Sequence, residues 1–293
     1  MDRRIHNMRI AVLSGKGGTG KTFVSVNLAA AAKSVTYIDC DVEEPNGHLF
    51  FKPQEIEEED IFVKIPKVDH EKCNGCRKCV DFCKFNALAH IKDRLLIFDE
   101  LCHSCGGCIM VCPEKALIEG NKVVGKVQKG ISGQVNVHTG IVNIGQPTGM
   151  AIVKSLLAEE NKEGDKQTII DCLPGSSCLV MESIKASDYC VLVAEPTRFG
   201  VHNLNMVYEL VKLFNKPHGV VLNKCLEEEN PAEVFCLENK IHILGRIPFD
   251  HELGSINSNA EIAVNKNEKY REMFSSLLET VTGEVQHETT INP

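Results

Sequence analysis

The chain has no excess of positive charge. Its 293 residues hold 32 Lys and Arg against 40 Asp and Glu, a formal net charge of −8. Binding to nucleic acid rests largely on cationic contacts to phosphate, so this balance argues against a nucleic-acid partner. There is no polybasic stretch to hold an anionic membrane surface. No apolar run approaches the roughly 20 residues that span a bilayer. Met1 to Asn7 carry no apolar signal-peptide core. The expectation is a cytoplasmic protein with neither nucleic acid nor membrane as partner. What is abundant is cysteine: there are 14. Disulfides are rare in the cytoplasm, so these thiols read first as metal ligands. The length leaves room for one or two domains with a sizeable core.

The most informative stretch is Ser14-Gly15-Lys16-Gly17-Gly18-Thr19-Gly20-Lys21-Thr22. It satisfies G-x-x-x-x-G-K-[ST]. Glycines let backbone N–H groups turn inward around phosphate oxygens without Cβ clashes. Lys21 can then reach the β/γ-phosphates, and the Thr22 hydroxyl can face Mg²⁺. Residues 9–13 read as a buried strand before the loop and residues 23–33 as a helix after it, which sets the phosphates on a helix N-terminus. A chance match in a βα turn is the bland alternative, and the agreement of strand, loop and helix disfavours it.

A second lysine, Lys16, directly follows the first glycine. K-G-G-T-G-K-T resembles the deviant Walker A loop of the MinD/ParA and nitrogenase iron-protein superfamily. The resemblance implies that Lys16 reaches across a dimer interface to nucleotide held by the other subunit. It continues downstream. Residues 35–39 read as a second strand ending in Asp39-Cys40-Asp41, which matches the family's switch I. On that match Asp41 orients the attacking water and Asp39 supports the Mg²⁺ shell; the other reading is a pair of turn aspartates capping the next helix. Residues 167–171 read as a strand ending at Asp171, suited to hold Mg²⁺ through water. Pro174-Gly175 then matches switch II. Asn223 resembles the family's adenine-reading asparagine, and Ile247-Pro248-Phe249-Asp250 the loop that closes over the base.

Between these pieces lie two further runs. After an acidic stretch, Glu55 to Asp60, taken as a solvated linker, come Cys73-x-x-Cys76-x-x-Cys79-x-x-x-Cys83 and Cys102-x-x-Cys105-x-x-Cys108-x-x-x-Cys112-Pro113. This duplicated spacing is that of bacterial two-cluster ferredoxins, in which the fourth cysteine of each run ligates the other [4Fe–4S] cluster. Cys73, Cys76, Cys79 and Cys112 are therefore assigned to one cluster, and Cys83, Cys102, Cys105 and Cys108 to the second. Lys84 stands where the first run would carry proline. Zinc is disfavoured, because structural zinc sites show separated ligand pairs. So small a unit has little apolar core and depends on its clusters.

The fold expected is α/β: a mostly parallel P-loop NTPase sheet with helices on both faces, from residues 1–60 and 123–293, with a small α+β ferredoxin-like domain inserted at 61–122. Further strands are predicted at 189–194, 218–222 and 241–247, and helices at 150–160, 199–214, 231–238 and 267–282, before a polar tail. The whole resembles MinD-superfamily ATPases that carry an inserted dicluster ferredoxin. This implies ATP, Mg²⁺ and two [4Fe–4S] clusters as cofactors, and an ATP-dependent homodimer. Hydrolysis would be coupled to electron transfer toward an unidentified redox or metallocofactor partner. The alternatives are an ATPase that assembles or carries clusters, and a ferredoxin for which ATP is only a timer. The C-terminal Cys-Pro-x-Cys pair of the carrier relatives is missing, as is MinD's basic membrane helix. Cys178, seven residues after Asp171, matches the interval to the cluster-ligating cysteine of nitrogenase iron protein. It reads either as an interface thiol facing its symmetry mate or as ordinary packing.

Overall fold

Strand β1 (Arg9–Leu13) sets up two layers at once. Successive strand side chains point to opposite faces. Ala11 and Leu13 join one buried cluster, and Ile10 and Val12 the other. The computed structural model that shows this describes residues 8–32, 34–158, 167–227 and 229–291. Met1 to Asn7, and the expected helix end at Glu160, lie outside the described residues.

After β1 come α1 (Lys21–Ala31), β2 (Val35–Asp39), α2 (Gly47–Phe51), β3 (Gln54–Val68), α3 (Lys78–Phe82), β4 (Leu88–Ile91), β5 (Arg94–Ile97) and α4 (Gly107–Met110). The chain continues through β6 (Leu117–Ser132), β7 (Val135–Val142), α5 (Met150–Ala158), β8 (Gln167–Asp171), α6 (Cys178–Lys185) and β9 (Tyr189–Ala194). It closes with α7 (Arg198–Leu213), β10 (His218–Cys225), α8 (Pro231–Glu238), β11 (Ile243–Pro248), α9 (His251–Ser258) and α10 (Glu268–Ile291). Among the described residues nine strands form one sheet, in the order β11-β10-β9-β1-β8-β2-β7-β6-β3. Pairings from β11 to β7 are parallel, and the last two are antiparallel.

Helices α1, α9 and α10 cover one face through Val24, Leu28, Leu253, Tyr270 and Phe274. Helices α5 to α8 cover the other through Ile152, Leu156, Val180, Val207 and Ala232. The α/β class, the mostly parallel sheet and the helices on both faces are thus as expected. Strand β1 lies between β8 and β9, so the loop after it opens at the carboxyl ends of the central strands, where ligands of such sheets bind.

Three local expectations are corrected. The acidic stretch taken as a linker is the edge strand β3. Glu57 pairs in register with Lys129, and Asp60 with Lys126. Lys126 Nζ donates to Glu58 Oε1 at 2.8 Å. Acid side chains on an edge strand find cations on the neighbouring strand while discouraging pairing with another sheet. Helix α9, which was not foreseen, follows β11 with Asp250 as its N-cap. Helix α10 runs on past Thr282 to Ile291.

Strands β3 and β6 leave the sheet as a two-stranded ribbon and carry the cysteine runs at its far end. The boundaries expected at 60/61 and 122/123 face one another across it, because Ile61 pairs with Gly125 and Phe62 with Val123 around a bulge. Beyond the ribbon, β4 and β5 form a separate two-stranded sheet. They are joined by Lys92 and Asp93, both at positive φ (46° and 63°), as a tight hairpin of this hand requires. The apolar cluster there is small: Ala87, Leu88, Leu95 and Leu117 around Cys79 and Cys108.

Candidate nucleotide and cysteine sites

A cleft of about 550 Å³ opens over the loop between β1 and α1. Its walls include Lys16, Gly17, Gly18, Gly20, Lys21, Thr22, Asp41, Asn223, Pro248 and Asp250. These positions come from four separate stretches of sequence, and the fold brings them to one place. Two glycines are dictated by close approach. A Cβ on Gly15 would fall 2.2 Å from the Asn203 carbonyl oxygen of α7, and one on Gly20, at φ +98°, would fall 2.1 Å from Asn223 Nδ2. Thr19 Oγ1 donates to the Lys16 carbonyl at 3.1 Å and tightens the loop from within.

Lys21 is buried and forms an ion pair with Asp171. The other Asp171 oxygen accepts from the Tyr37 hydroxyl at 2.9 Å. Burial works against the Lys21 charge, but the carboxylates of Asp171, Asp39 and Asp41 outweigh it and hold the ammonium above its ordinary value. Thr22 Oγ1 lies 3.4 Å from Lys21 Nζ.

Asp39 is fully buried. One oxygen accepts from the Asp41 N–H at 3.1 Å, and the other from the N–H groups of Asn46 (3.1 Å) and Gly47 (2.8 Å). It therefore ties down the loop after β2, a job nearer to the capping alternative than to a free metal ligand. Burial, reinforced by the Asp171 charge, pushes its carboxyl up to about 7. Asp41 is half-buried and faces the cleft. Burial pushes it up to about 6, against the pull of Lys21.

Lys16 points along its own chain. It pairs with Glu195 and lies over the Phe199 ring, 5.0 Å from its centroid. The turn at Pro174-Gly175 has Gly175 at φ +94° and donates the Gly175 N–H to the Ser14 carbonyl at 2.8 Å, which ties it to the loop. On the opposite wall, Asn223 Nδ2 donates to the Thr19 carbonyl at 2.8 Å. Asp250 accepts from the N–H groups of Glu252 and Leu253 at 2.8 and 3.3 Å. Both residues line the cleft, and both also hold protein backbone.

Three site residues were missed by sequence reasoning: Tyr37, Glu195 and Lys224. Lys224 Nζ donates to the Gly18 carbonyl at 2.8 Å. Glu195 follows the last residue of β9, next to β1, so the rule that ligands bind at strand carboxyl ends could have found it. Tyr37 is a buried phenol inside Val-Thr-Tyr-Ile-Asp and carries no such signal.

At the far end of the ribbon, Cys73, Cys76, Cys79 and Cys112 line one cavity, together with Asn74, Gly75, His90, Leu95 and Leu117. Three of the thiols come from the first run and one from the second. Burial raises the Cys79 thiol, and Cys112 and Cys73 add to this. Burial raises Cys108 to about 11, with Cys102 and Cys105 its next influences. Cys83 is half-buried against the same apolar cluster. Gly75 and Gly106 hold φ of +72° and +71° in the two loops. The Ala116 N–H donates to Cys112 Sγ at 3.3 Å. Among the described residues no three His, Cys, Asp or Glu side chains converge on a single ion position. Cys178 is exposed at the start of α6.

A mostly parallel sheet, with a glycine-rich loop leading from its central strand into a helix, defines a P-loop nucleotide-binding fold. Residues 10–262 match the CobQ/CobB/MinD/ParA nucleotide binding domain, and the chain belongs to that family. An uncharacterized protein of Methanocaldococcus jannaschii is 27% identical over 275 residues, 93% of this chain and 95% of the relative. Over 55 residues the chain is 40% identical to an uncharacterized ferredoxin of the same organism, covering 17% of this chain and 71% of the ferredoxin. The cell division ATPase MinD of Pyrococcus furiosus superposes with a TM-score of 0.58 at 18% identity, covering 94% of this chain and 99% of that one. The septum site-determining protein MinD of Pyrococcus horikoshii, complexed with Mg-ADP, also gives 0.58 at 18% identity, covering 98% of each chain. At that identity the likeness is one of fold.

Proposed function

We propose that this chain binds and hydrolyses ATP as a homodimer, and couples nucleotide state and dimer closure to electron transfer through two [4Fe–4S] clusters. Lys21 and the loop N–H groups hold the phosphates. Thr22 and Asp171 face Mg²⁺, and Asp41 orients water. Lys16 leaves Glu195 to meet the nucleotide of the second subunit. Asn223, Pro248 and Asp250 border the base. The Mg-ADP complex of the Pyrococcus horikoshii protein, on the same fold, supports the nucleotide part.

The observation that carries the redox part is the shared cavity of Cys73, Cys76, Cys79 and Cys112. Its crossed membership is the one that the duplicated spacing requires for the first cluster. The four thiols line the walls of that one cavity. Cys83, Cys102, Cys105 and Cys108 would hold the second cluster. Each cluster supplies one-electron transfer when bound. The short ferredoxin match agrees with this reading. Strand β3 follows the switch I loop after one short helix, so the ribbon gives the nucleotide cleft a continuous path to the cysteines.

Anaerobic reconstitution tests the cluster content. About eight irons and eight sulfides per chain are expected. Saturation at half that, with all eight cysteines intact, overturns the assignment. The exposure of Cys178 favours a second reading, a cluster-assembly ATPase. Two such thiols brought together across a dimer axis could hold a passing metal. Stoichiometric transfer of labelled iron to an acceptor protein, lost in Cys178→Ser, would select it.

A further inference from the structure

We propose that His90 donates a hydrogen bond from Nε2 to the cluster held by Cys73, Cys76, Cys79 and Cys112, and that this contact makes that cluster the easier of the two to reduce. The proposal rests on the cluster assignment above and adds an order between the clusters.

His90 lines the cavity that those four cysteines share. Its Nε2 is buried and has no hydrogen-bond partner among the described residues. A buried polar nitrogen left without a partner carries the full cost of losing water, so such atoms are rare unless something else meets them. The ring faces the loop that bears the ligands. A Cβ on Gly75, between Cys73 and Cys76, would stand 3.0 Å from His90 Nε2 and 3.3 Å from its Cε1. Gly75 therefore has a second reason to be glycine besides its positive φ. Strand pairing fixes the ring's position, since His90 lies opposite Leu95, which lines the same cavity. Leu95, Ala116 and Leu117 supply the apolar part of the wall, and Asn74, Arg77 and Glu114 the polar part. Because Nε2 itself is buried, an N–H donated from it meets little competition from water.

The matching place after the second run holds a different residue. Aligning Ala87-Leu88-Ala89-His90 with Ala116-Leu117-Ile118-Glu119 puts Glu119 at the matching place. Glu119 is exposed, and a carboxylate donates nothing. Reduction adds one electron, hence one negative charge, to a cluster. A donated hydrogen bond stabilises the reduced form more than the oxidised one, and hydrogen bonds to the sulfurs are among the recognised determinants of cluster potential. The expected effect on the reduction equilibrium is several-fold, at most about tenfold, and tenfold is about 59 mV for a one-electron couple.

The test uses the full chain, reconstituted anaerobically and titrated with dithionite while spectra are recorded, as wild type, His90→Leu and His90→Gln. Two midpoints are expected for wild type. In His90→Leu the higher midpoint falls by up to about tenfold in equilibrium constant and the lower one stays. In His90→Gln, which keeps a donor, the higher midpoint recovers in part. Loss of one cluster's irons in His90→Leu alone supports the same contact. Unmoved midpoints, equal shifts in both variants, or equal iron loss in both, overturn it in favour of packing. A wild-type chain that binds fewer than two clusters overturns the cluster assignment itself, whatever the His90 variants do.

Discussion

Lys21, which lines the cleft, forms a buried ion pair with Asp171 behind it. On the proposed function, nucleotide and Mg²⁺ part them. The pair keeps two buried charges satisfied, since an isolated buried charge is costly. Lys21→Ala should therefore fail twice. It removes the charge facing the β/γ-phosphates, so tight MgATP binding is lost. It also leaves Asp171 uncompensated, which costs about 3–5 kcal/mol of stability. Denaturant unfolding without nucleotide checks the second effect, and adding Asp171→Asn should restore stability but not binding. Full stability of Lys21→Ala alone would show that the pair holds nothing together.

Lys16 is engaged with Glu195 within its own chain. Reaching a second subunit requires letting go of that carboxylate. Lys16→Ala should leave MgATP affinity near wild type and lose both hydrolysis and ATP-induced dimers. Glu195→Gln should lower the ATP concentration at which dimers form, by no more than about fivefold, because a partly exposed pair is worth at most about 1 kcal/mol. Light scattering against ATP concentration measures this. Equal loss of binding in Lys16→Ala and Lys21→Ala would remove the distinction between the two lysines.

The carboxyl of Asp39 titrates near 7 and that of Asp41 near 6 in the folded chain. Both lie above the ordinary value of about 3.9. A group whose folded pKa is raised binds its proton more tightly when folded. Its contribution to stability is full below the unfolded value and is lost as pH rises through the folded one. The nucleotide-free protein should thus lose stability between about pH 4 and pH 7. Asp39→Asn should flatten most of that slope. MgATP should drive proton release near pH 6.5, visible by calorimetry in buffers of differing ionisation enthalpy. A stability profile that is flat over this range in the wild type would contradict the burial of these carboxylates.

Much of the nucleotide site was legible because its parts carry local signals. A glycine loop, a helix start and aspartates at strand ends each announce themselves within a few residues. Strands 9–13, 35–39, 167–171 and 189–194 ended where their β-branched runs ended. The acidic strand β3 was not legible, because its stability comes from Lys126 and Lys129, some 70 residues away, and not from its own composition. Glu195 and Tyr37 each act through a residue distant in sequence, Lys16 in the glycine loop and Asp171 on β8. His90 could only be seen once the fold set it against Gly75. The crossed grouping of Cys112 with Cys73, Cys76 and Cys79 was expected from spacing alone, and these four now line one cavity.

Cys178 stands exposed at the start of α6, clear of both core clusters. Cys178→Ser should leave folding unchanged, with a midpoint shift inside about 0.5 kcal/mol. If the thiol serves a dimer interface, the variant should lose ATP-dependent metal content or partner reduction. Unchanged values in both assays would leave Cys178 without a role in the reaction.

The most direct test is an anaerobic redox titration, followed by electron paramagnetic resonance, with and without MgATP. Wild-type protein should show two one-electron clusters per chain, with at least one midpoint that moves when MgATP is added. Lys16→Ala should show the same two clusters with midpoints that MgATP does not move, because its dimer does not close. Titrations that coincide with and without MgATP, in a wild-type preparation that hydrolyses ATP, would contradict the coupling of nucleotide state to electron transfer.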